Sequence, residues 1–366
     1  MAVPLFDTST PLAPIDAEIR AKVNEIIDSK RFIFGPEVEA FENEFARYIG
    51  TKHAVGVANG TDALLLALRA LDIGPGDEVI VPSFTFFASA EPIALVGATP
   101  VWCDVDPVTF VSTAEHVRAV LTPRTKAVIA VHLFGNVAPI AEIEALGVPV
   151  IEDAAQSAGT RLTDGRRPGA LSATLATFSF FPSKNLGAFG DGGAVTTSDA
   201  ELAETIRTLR FHGSRDKQTF ELVGHNSRLD ELQAGILRVQ LPHLDEWCDG
   251  RRAAAAHYEE AGLGEHVKLP QPADGCAPAW HLYVIRHAQP DELADGLKAA
   301  GIGSKRYYAV PLHRQVAMRP WAGGAELPGT DEAARTHLAI PMSPVLDRAQ
   351  ADEVVAAVKA CASGST

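Results

Sequence analysis

"LATFSFFPSKNLGAFGDGGAVTTS", residues 175–198, contains two apolar, strand-like runs joined by a loop that is rich in glycine. Lys184 is the only basic residue of this stretch, and Asp191 is the only other charged one. A lysine among serine, proline, phenylalanine and glycine is partly desolvated, which lowers its pKa from an ordinary value of about 10.4. In that case Lys184 is an amine kept close to neutral for covalent chemistry; the alternative is an ordinary solvated surface cation.

Similar apolar runs recur through the first 200 residues, with helix-like segments such as 61–73 and 112–121 between them. The runs are apolar on both faces, as strands covered by helices on each side must be. This alternation predicts an α/β fold with a mostly parallel central sheet and helices on both of its faces. The predicted strands are 53–59, 77–85, 99–105, 125–135, 148–155, 175–181 and 193–198.

Beyond residue 200 the pattern changes to longer helical segments, of which 230–262 is the longest. Short strand-like runs at 281–287 and 337–344 precede a closing helical segment. We predict a large domain over residues 1–245 and a smaller C-terminal α+β domain over residues 246–366.

The composition narrows the classes of function. A formal net charge of −14 and the absence of long basic clusters disfavour a nucleic-acid or membrane partner. No signal-peptide pattern or membrane span is visible, so we expect a cytoplasmic protein. No metal site is predicted, because the cysteines lack a metal-binding spacing; we expect reduced, buried thiols at Cys103, Cys248, Cys276 and Cys361.

Ligands of open parallel sheets bind beyond the carboxyl ends of the strands. At one such end, Gly60 and Thr61 open a helix, where free backbone N–H groups and a hydroxyl form a possible anion site. The alternative is that Thr61 or Asp62 only caps the helix. At another, Asp153 follows an apolar strand, where it either pairs with a cationic ligand or caps a following helix.

These three features together match the needs of pyridoxal 5′-phosphate. Its phosphate requires an anion site, its ring nitrogen requires a carboxylate to stay protonated, and its aldehyde requires an amine such as that of Lys184. Phe86 could stack on the ring, although its spacing fits a core aromatic equally well.

The sequence resembles the DegT/DnrJ/EryC1/StrS sugar aminotransferases along nearly its whole length. The resemblance is carried by "VANGTDAL", "GDEVIVPSFTFFASAEPI", "IEDAAQSAG", "SFFPSKNLGAFGDGGA", "GHNSRLDELQAGIL" and "YYAVPLHRQ". It implies the type I fold of pyridoxal-phosphate-dependent transferases and a homodimer whose active sites are each built from both subunits.

The resemblance also implies roles for individual residues. Lys184 is similar to the lysine that forms the Schiff base, and Asp153 to the carboxylate on the pyridine nitrogen. Gln156, expected on a helix three residues after Asp153, resembles the glutamine near the cofactor hydroxyl. The remaining matches are phosphate-binding Gly60, Thr61 and Ser179, ring-stacking Phe86, Asn226 reaching the partner's phosphate site, and Tyr307, Tyr308 and His313 near the sugar.

The implied function is amino transfer from L-glutamate to a nucleotide-linked keto-sugar, with a dTDP- or UDP-linked 3-keto-deoxyhexose favoured. Relatives with histidine in place of the lysine act as dehydratases, whereas this chain has Lys184. The alternatives are a 4-keto-sugar or cyclitol aminotransferase, a dehydratase, and a cofactor-binding regulatory protein without turnover. His313 could also be an ordinary hydrogen-bonded structural histidine.

Overall fold

A computed structural model describes residues 3–172 and 174–363. Its helices are α1 Asp16–Ser29, α2 Pro36–Ile49, α3 Gly60–Ala70, α4 Glu91–Leu95, α5 Ala114–Arg118, α6 Ile140–Glu144, α7 Ala200–Leu209, α8 Glu231–Gln240, α9 Leu244–Glu260, α10 Pro290–Ala299, α11 Pro328–Thr336 and α12 Arg348–Ser363. Its strands are β1 His53–Val57, β2 Glu78–Pro82, β3 Thr99–Cys103, β4 Thr125–Val131, β5 Val150–Asp153, β6 Arg161–Leu162, β7 Leu175–Ser179, β8 Gly193–Thr197, β9 Cys276–Ala277, β10 Tyr283–Arg286 and β11 His337–Ile340.

Seven strands form the central sheet in the order β1-β8-β7-β5-β4-β2-β3. Each of them falls within a predicted strand, and the prediction of a mostly parallel sheet is confirmed. β8 runs antiparallel to both of its neighbours, and the other six strands share one direction. The carboxyl ends of these six strands therefore lie at one edge of the sheet.

Helices cover both faces of the sheet because its strands alternate apolar side chains between two cores. Val55 of β1 and Val195 of β8 belong to the core that packs on α3 and α7. Their neighbours Ala54 and Ala194 face the opposite core, which contains α2 and α8. This layered arrangement fixes the start of α3 beside the ends of β1 and β7.

The C-terminal part of the chain contains the antiparallel pair β10–β11, with α9, α10 and α12 around its apolar core. The helix α9 runs through the predicted boundary at residues 245/246, and the division into two domains there remains a prediction. Cys103 and Cys248 are buried, whereas Cys276 and Cys361 are half-buried; all four are free thiols. In the described residues, no helix has the length and apolar character needed to cross a membrane.

Candidate active site

A cavity of about 620 Å³ lies at the carboxyl-end edge of the central sheet. Residues at or just beyond the ends of β1, β2, β4, β5 and β7 line it, as expected for an open parallel sheet. It brings together nine of the eleven residues singled out from the sequence: Gly60, Thr61, Phe86, Asp153, Gln156, Ser179, Lys184, Tyr307 and Tyr308.

The start of α3 forms one wall of the cavity. Asn59 is the N-cap, since its side chain accepts a hydrogen bond from the N–H of Asp62 at 2.8 Å. Neither Thr61 nor Asp62 therefore caps the helix. A Cβ atom on Gly60 would lie only 2.7 Å from the Cβ of Ser179, so glycine allows the helix start to approach β7. The resulting cradle presents backbone N–H groups and two hydroxyls, those of Thr61 and Ser179, which suits a phosphate.

Asp153 ends β5 and is buried at the base of the cavity. The hydroxyl of Ser89 donates to its Oδ2 at 2.7 Å, and the N–H of Ala155 donates to its Oδ1 at 3.2 Å. Ser89 in turn lies 3.1 Å from the hydroxyl of Thr85. These contacts orient the carboxylate, and no helix follows Asp153 for it to cap.

Gln156 lies in a turn after β5, and the expectation that a helix carries it is wrong. Its position at the cavity is instead fixed by the backbone. The N–H of Phe134 donates to Gln156 Oε1 at 2.9 Å, which leaves the amide NH₂ to donate to the hydroxyl of Tyr308 at 3.2 Å. Burial raises the pKa of Tyr308, so its hydroxyl stays protonated.

Lys184 is half-buried and lines the cavity in the loop after β7. Burial lowers the pKa of its amine to about 8, and the charge of Asp153 opposes this shift. An amine with this pKa is substantially neutral under mildly alkaline conditions, and a neutral amine is nucleophilic. The direction of the shift agrees with the expectation from its sequence neighbours.

The lowered pKa of Lys184 predicts the pH dependence of stability in the cofactor-free protein. The amine loses its proton near pH 8 when folded and near 10.5 when unfolded, so the unfolded state binds more protons in between and stability rises with pH there. We expect the free energy of unfolding to increase across this pH window by on the order of 2 kcal/mol more in the wild type than in Lys184→Met. Chemical unfolding of both proteins across this window measures it, and equal pH dependence would contradict the prediction.

Two predicted site residues do not line the cavity of their own chain. Asn226 is exposed on the segment between α7 and α8. His313 is buried elsewhere, where its Nδ1 lies 2.6 Å from the hydroxyl of Ser83 and its Nε2 accepts from Arg314 at 3.2 Å. These contacts are those of the alternative interpretation, a hydrogen-bonded structural histidine.

Three further residues at this site, Asn59, Ser89 and His281, were not singled out from the sequence. Asn59 could have been predicted from the sequence, because Asn is a preferred N-cap residue directly before a helix. Ser89 has no local signal, since the carboxylate that it contacts is 64 residues away. His281 also lines the cavity, and burial lowers its pKa far below the ordinary value, so it is neutral there.

Comparison with known proteins identifies the family. The model of the DegT/DnrJ/EryC1/StrS aminotransferase family matches residues 13–359. A pleiotropic regulatory protein of Geobacillus stearothermophilus is 45% identical over 364 residues, with 97% of each chain covered. The dTDP-3-amino-3,4,6-trideoxy-alpha-D-glucose transaminase of Streptomyces venezuelae is 47% identical over 369 residues, covering 98% of this chain and 95% of that protein.

A solved structure agrees with these matches. The structure of S. venezuelae DesV in complex with a ketimine intermediate superposes with a TM-score of 0.94 at 46% identity, covering 99% of this chain and 98% of that one. The fold, the family model and both relatives span almost the whole chain. The protein therefore belongs to the DegT/DnrJ/EryC1/StrS aminotransferase family.

Proposed function

We propose that the protein uses pyridoxal 5′-phosphate to transfer an amino group from L-glutamate to a nucleotide-linked keto-sugar. The observation that carries this proposal is the single cavity in which Lys184, Asp153 and the start of α3 meet. An amine, a buried carboxylate and an anion cradle are the three features that this cofactor requires. The other sugar-binding and donor-binding contacts rest on the family resemblance.

The residues present fit the cofactor. The cradle at Gly60 would hold the phosphate, with the hydroxyls of Thr61 and Ser179 as donors. Asp153 would pair with the ring nitrogen, and Phe86, which is 55% exposed and lines the cavity, would contact the ring face. When bound, pyridoxal phosphate supplies an aldehyde that accepts the amino group and a ring that accepts electrons.

Lys184 would act as the base and then the acid of the transfer. Its neutral Nζ would take a proton from the Cα of the amino donor and, once protonated, would serve as the acid that returns this proton on the other side of the donor nitrogen. Burial favours the neutral form that this step requires. The same Nζ would be the group that holds the cofactor's aldehyde in the resting protein.

A 3-keto sugar is favoured over a 4-keto sugar. The Streptomyces venezuelae relative at 47% identity is named for a 3-amino sugar product linked to dTDP. Tyr307 and Tyr308 line the cavity and would contact the sugar, with the Tyr308 hydroxyl held by Gln156. His313 lies outside the cavity and has no part in this proposal.

A homodimer with shared active sites is supported by exposed aromatic side chains, one of which lines the cavity. Phe32, Phe34, Phe181 and Phe189 are each between 39% and 52% exposed. Phe181 also lines the cavity, and large exposed aromatic groups favour burial against a partner. Asn226 is exposed and absent from the cavity of its own chain, so it is free to reach the cavity of a second copy.

A regulatory protein without turnover is the second candidate, because the Geobacillus relative carries a regulatory name. The intact combination of Lys184, Asp153 and Gln156 argues against it, since cofactor binding alone does not require a proton-transferring amine. A 4-keto-sugar or cyclitol acceptor remains an alternative substrate for the same machinery.

The test follows the two halves of the reaction separately. We expect purified, cofactor-loaded protein to lose its visible absorbance on addition of L-glutamate and to release 2-oxoglutarate. The protein whose cofactor now carries the amino group should then recover its visible absorbance when a keto acceptor is added. We expect this recovery to be faster with dTDP- or UDP-linked 3-keto sugars than with 4-keto sugars or keto-cyclitols. Failure of the glutamate half would favour the regulatory candidate, and a preference for another acceptor would identify the substrate instead.

A further inference from the structure

A second cavity, of about 430 Å³, lies beside β10 and the C-terminal end of α11 and shares no lining residue with the candidate active site. We propose that it binds a small phosphate-type oxyanion. Its basic lining consists of Lys268, Arg286 and Arg335, with His266 and His287 beside them. Two carboxylates, Glu265 and Glu332, also line it.

Lys268 and Arg286 form a cross-strand pair of like charge. The N–H of Lys268 donates to the carbonyl of Arg286 at 3.0 Å, and the N–H of Arg286 donates back at 2.9 Å. In such a pair the two side chains are on the same face of the sheet, about 5 Å apart at Cβ. Two cations in this arrangement repel each other, so a bound anion between them would relieve an unfavourable interaction.

The guanidinium of Arg286 is only partly satisfied by the protein. Its side chain is 8% exposed, and its Nη1 donates to Glu332 Oε1 at 3.1 Å. Its Nε is buried and has no hydrogen-bond partner among the described residues. A buried donor without a partner costs free energy, and the edge of the guanidinium that contains Nε is one of the two edges that can bind an oxyanion through two parallel hydrogen bonds.

The C-terminal end of α11 carries partial negative charge, which would repel an anion in this cavity. Other groups already bind its terminal carbonyl oxygens, so this repulsion is reduced. The N–H of His287 donates to the carbonyl of Thr336 at 2.8 Å, and His337 Nδ1 lies 2.7 Å from the carbonyl of Ala333. The guanidinium of Arg306 binds the carbonyl of Ala334. Donors that occupy these oxygens reduce the partial negative charge that the helix end presents to the cavity.

Phosphate-type oxyanions fit this donor set best. Arginine binds phosphate oxygens bidentately through its planar fork, and lysine adds a mobile point charge. Arg335 and Lys268 are exposed at the rim, where they can close on a ligand that Arg286 holds inside. Inorganic phosphate and a phosphate monoester offer the same oxygens, and both are tested below.

The experiment measures binding of inorganic phosphate to the cofactor-loaded protein by calorimetry, at constant ionic strength maintained with chloride. We expect Arg286→Met and Lys268→Met each to weaken phosphate binding about 10-fold, because each removes a hydrogen bond to a charged group. Lys298→Met, which removes an exposed lysine of α10 outside the cavity, should bind phosphate like the wild type. Glutamate-dependent activity should be unchanged in all three.

Methyl phosphate in the same assay distinguishes the source of the oxyanion, since the tighter of the two ligands indicates whether a free or an esterified phosphate is accommodated. If Arg286→Met does not fold, Lys268→Met and Arg335→Met carry the test. The proposal is overturned if the wild type shows no saturable phosphate binding, or if the cavity variants and Lys298→Met bind phosphate equally. Neither outcome bears on the aminotransferase activity, which is measured separately.

Discussion

Replacing Lys184 with alanine is expected to lower the steady-state rate of amino transfer by at least about 10³-fold. Positioned proton transfer alone is worth about 10²–10⁴ in rate, and the variant also loses the amine that bonds the cofactor. No second lysine lines the cavity among the described residues, so no other side chain there can replace this amine. Stopped-flow measurement of the glutamate half-reaction, together with steady-state turnover, tests the prediction.

The Lys184→Ala protein should still fold and still bind pyridoxamine phosphate, because the phosphate cradle and Asp153 are untouched. Thermal unfolding and equilibrium dialysis with pyridoxamine phosphate provide these controls. Lys305→Ala, which removes an exposed lysine whose ammonium lies 5.0 Å from the Tyr307 ring, is a matched cation control outside the cavity lining. Near wild-type turnover in Lys184→Ala would refute the assignment of the base.

The same variant tests the shared active site when it is mixed with Asn226→Ala. In a symmetric dimer whose sites take Lys184 from one subunit and Asn226 from the other, a mixed dimer contains one site with both residues intact. Activity should therefore reappear on subunit exchange between two impaired proteins. If the mixture stays as inactive as its components after exchange has been verified, the proposal that Asn226 serves the partner's site fails.

The main features of this fold were predictable because they depend on local patterns. Continuous apolar runs identified the central strands, and the rule that ligands bind at the carboxyl ends of parallel strands selected Asp153 and the helix start at Gly60. Lys184 was selected by its apolar and glycine-rich neighbours in the sequence. The direction of β8 was not predictable in this way. β8 is buried on both faces like the parallel strands of the sheet, so its burial does not reveal that it runs antiparallel to β1 and β7.

The contacts around the site were less predictable, because they join distant segments. Ser89 reaches Asp153 across 64 residues, and nothing in the sequence around Ser89 marks it. Gln156 was expected on a helix, but it lines the cavity from a turn. A spacing of three residues suits a helix, and it also occurs in this turn, where the N–H of Phe134 holds the Gln156 side chain. Local periodicity cannot distinguish these two cases when a distant backbone group supplies the hydrogen bond.

Glu152 and Asp153 are adjacent in β5, so their side chains point to opposite faces of the sheet. One carboxylate is therefore placed in the protein interior and the other at the cavity. Glu152 is fully buried away from the cavity, where it accepts hydrogen bonds from His132 Nε2 and from the N–H groups of Gly169, Leu171 and Ser172. All four contacts come from the protein itself. Asp153 accepts hydrogen bonds from Ser89 and Ala155, and its side chain borders the cavity, where a ligand can supply a further contact.

Asp153→Asn is accordingly expected to lower turnover by about 10²–10³-fold with little loss of stability, because a neutral amide cannot hold the charge of a protonated ring nitrogen. Asparagine keeps the shape of the side chain and an oxygen for the hydroxyl of Ser89, so that only the longer contact with the N–H of Ala155, at 3.2 Å, is lost. Glu152→Gln should show the opposite result, a free energy of unfolding lower by about 1–3 kcal/mol with nearly normal turnover per folded molecule, since one of its accepting oxygens becomes a donor. Chemical unfolding and turnover measured on both variants distinguish the two carboxylates, and equal losses of activity would show that the cavity-facing position of Asp153 has no special role.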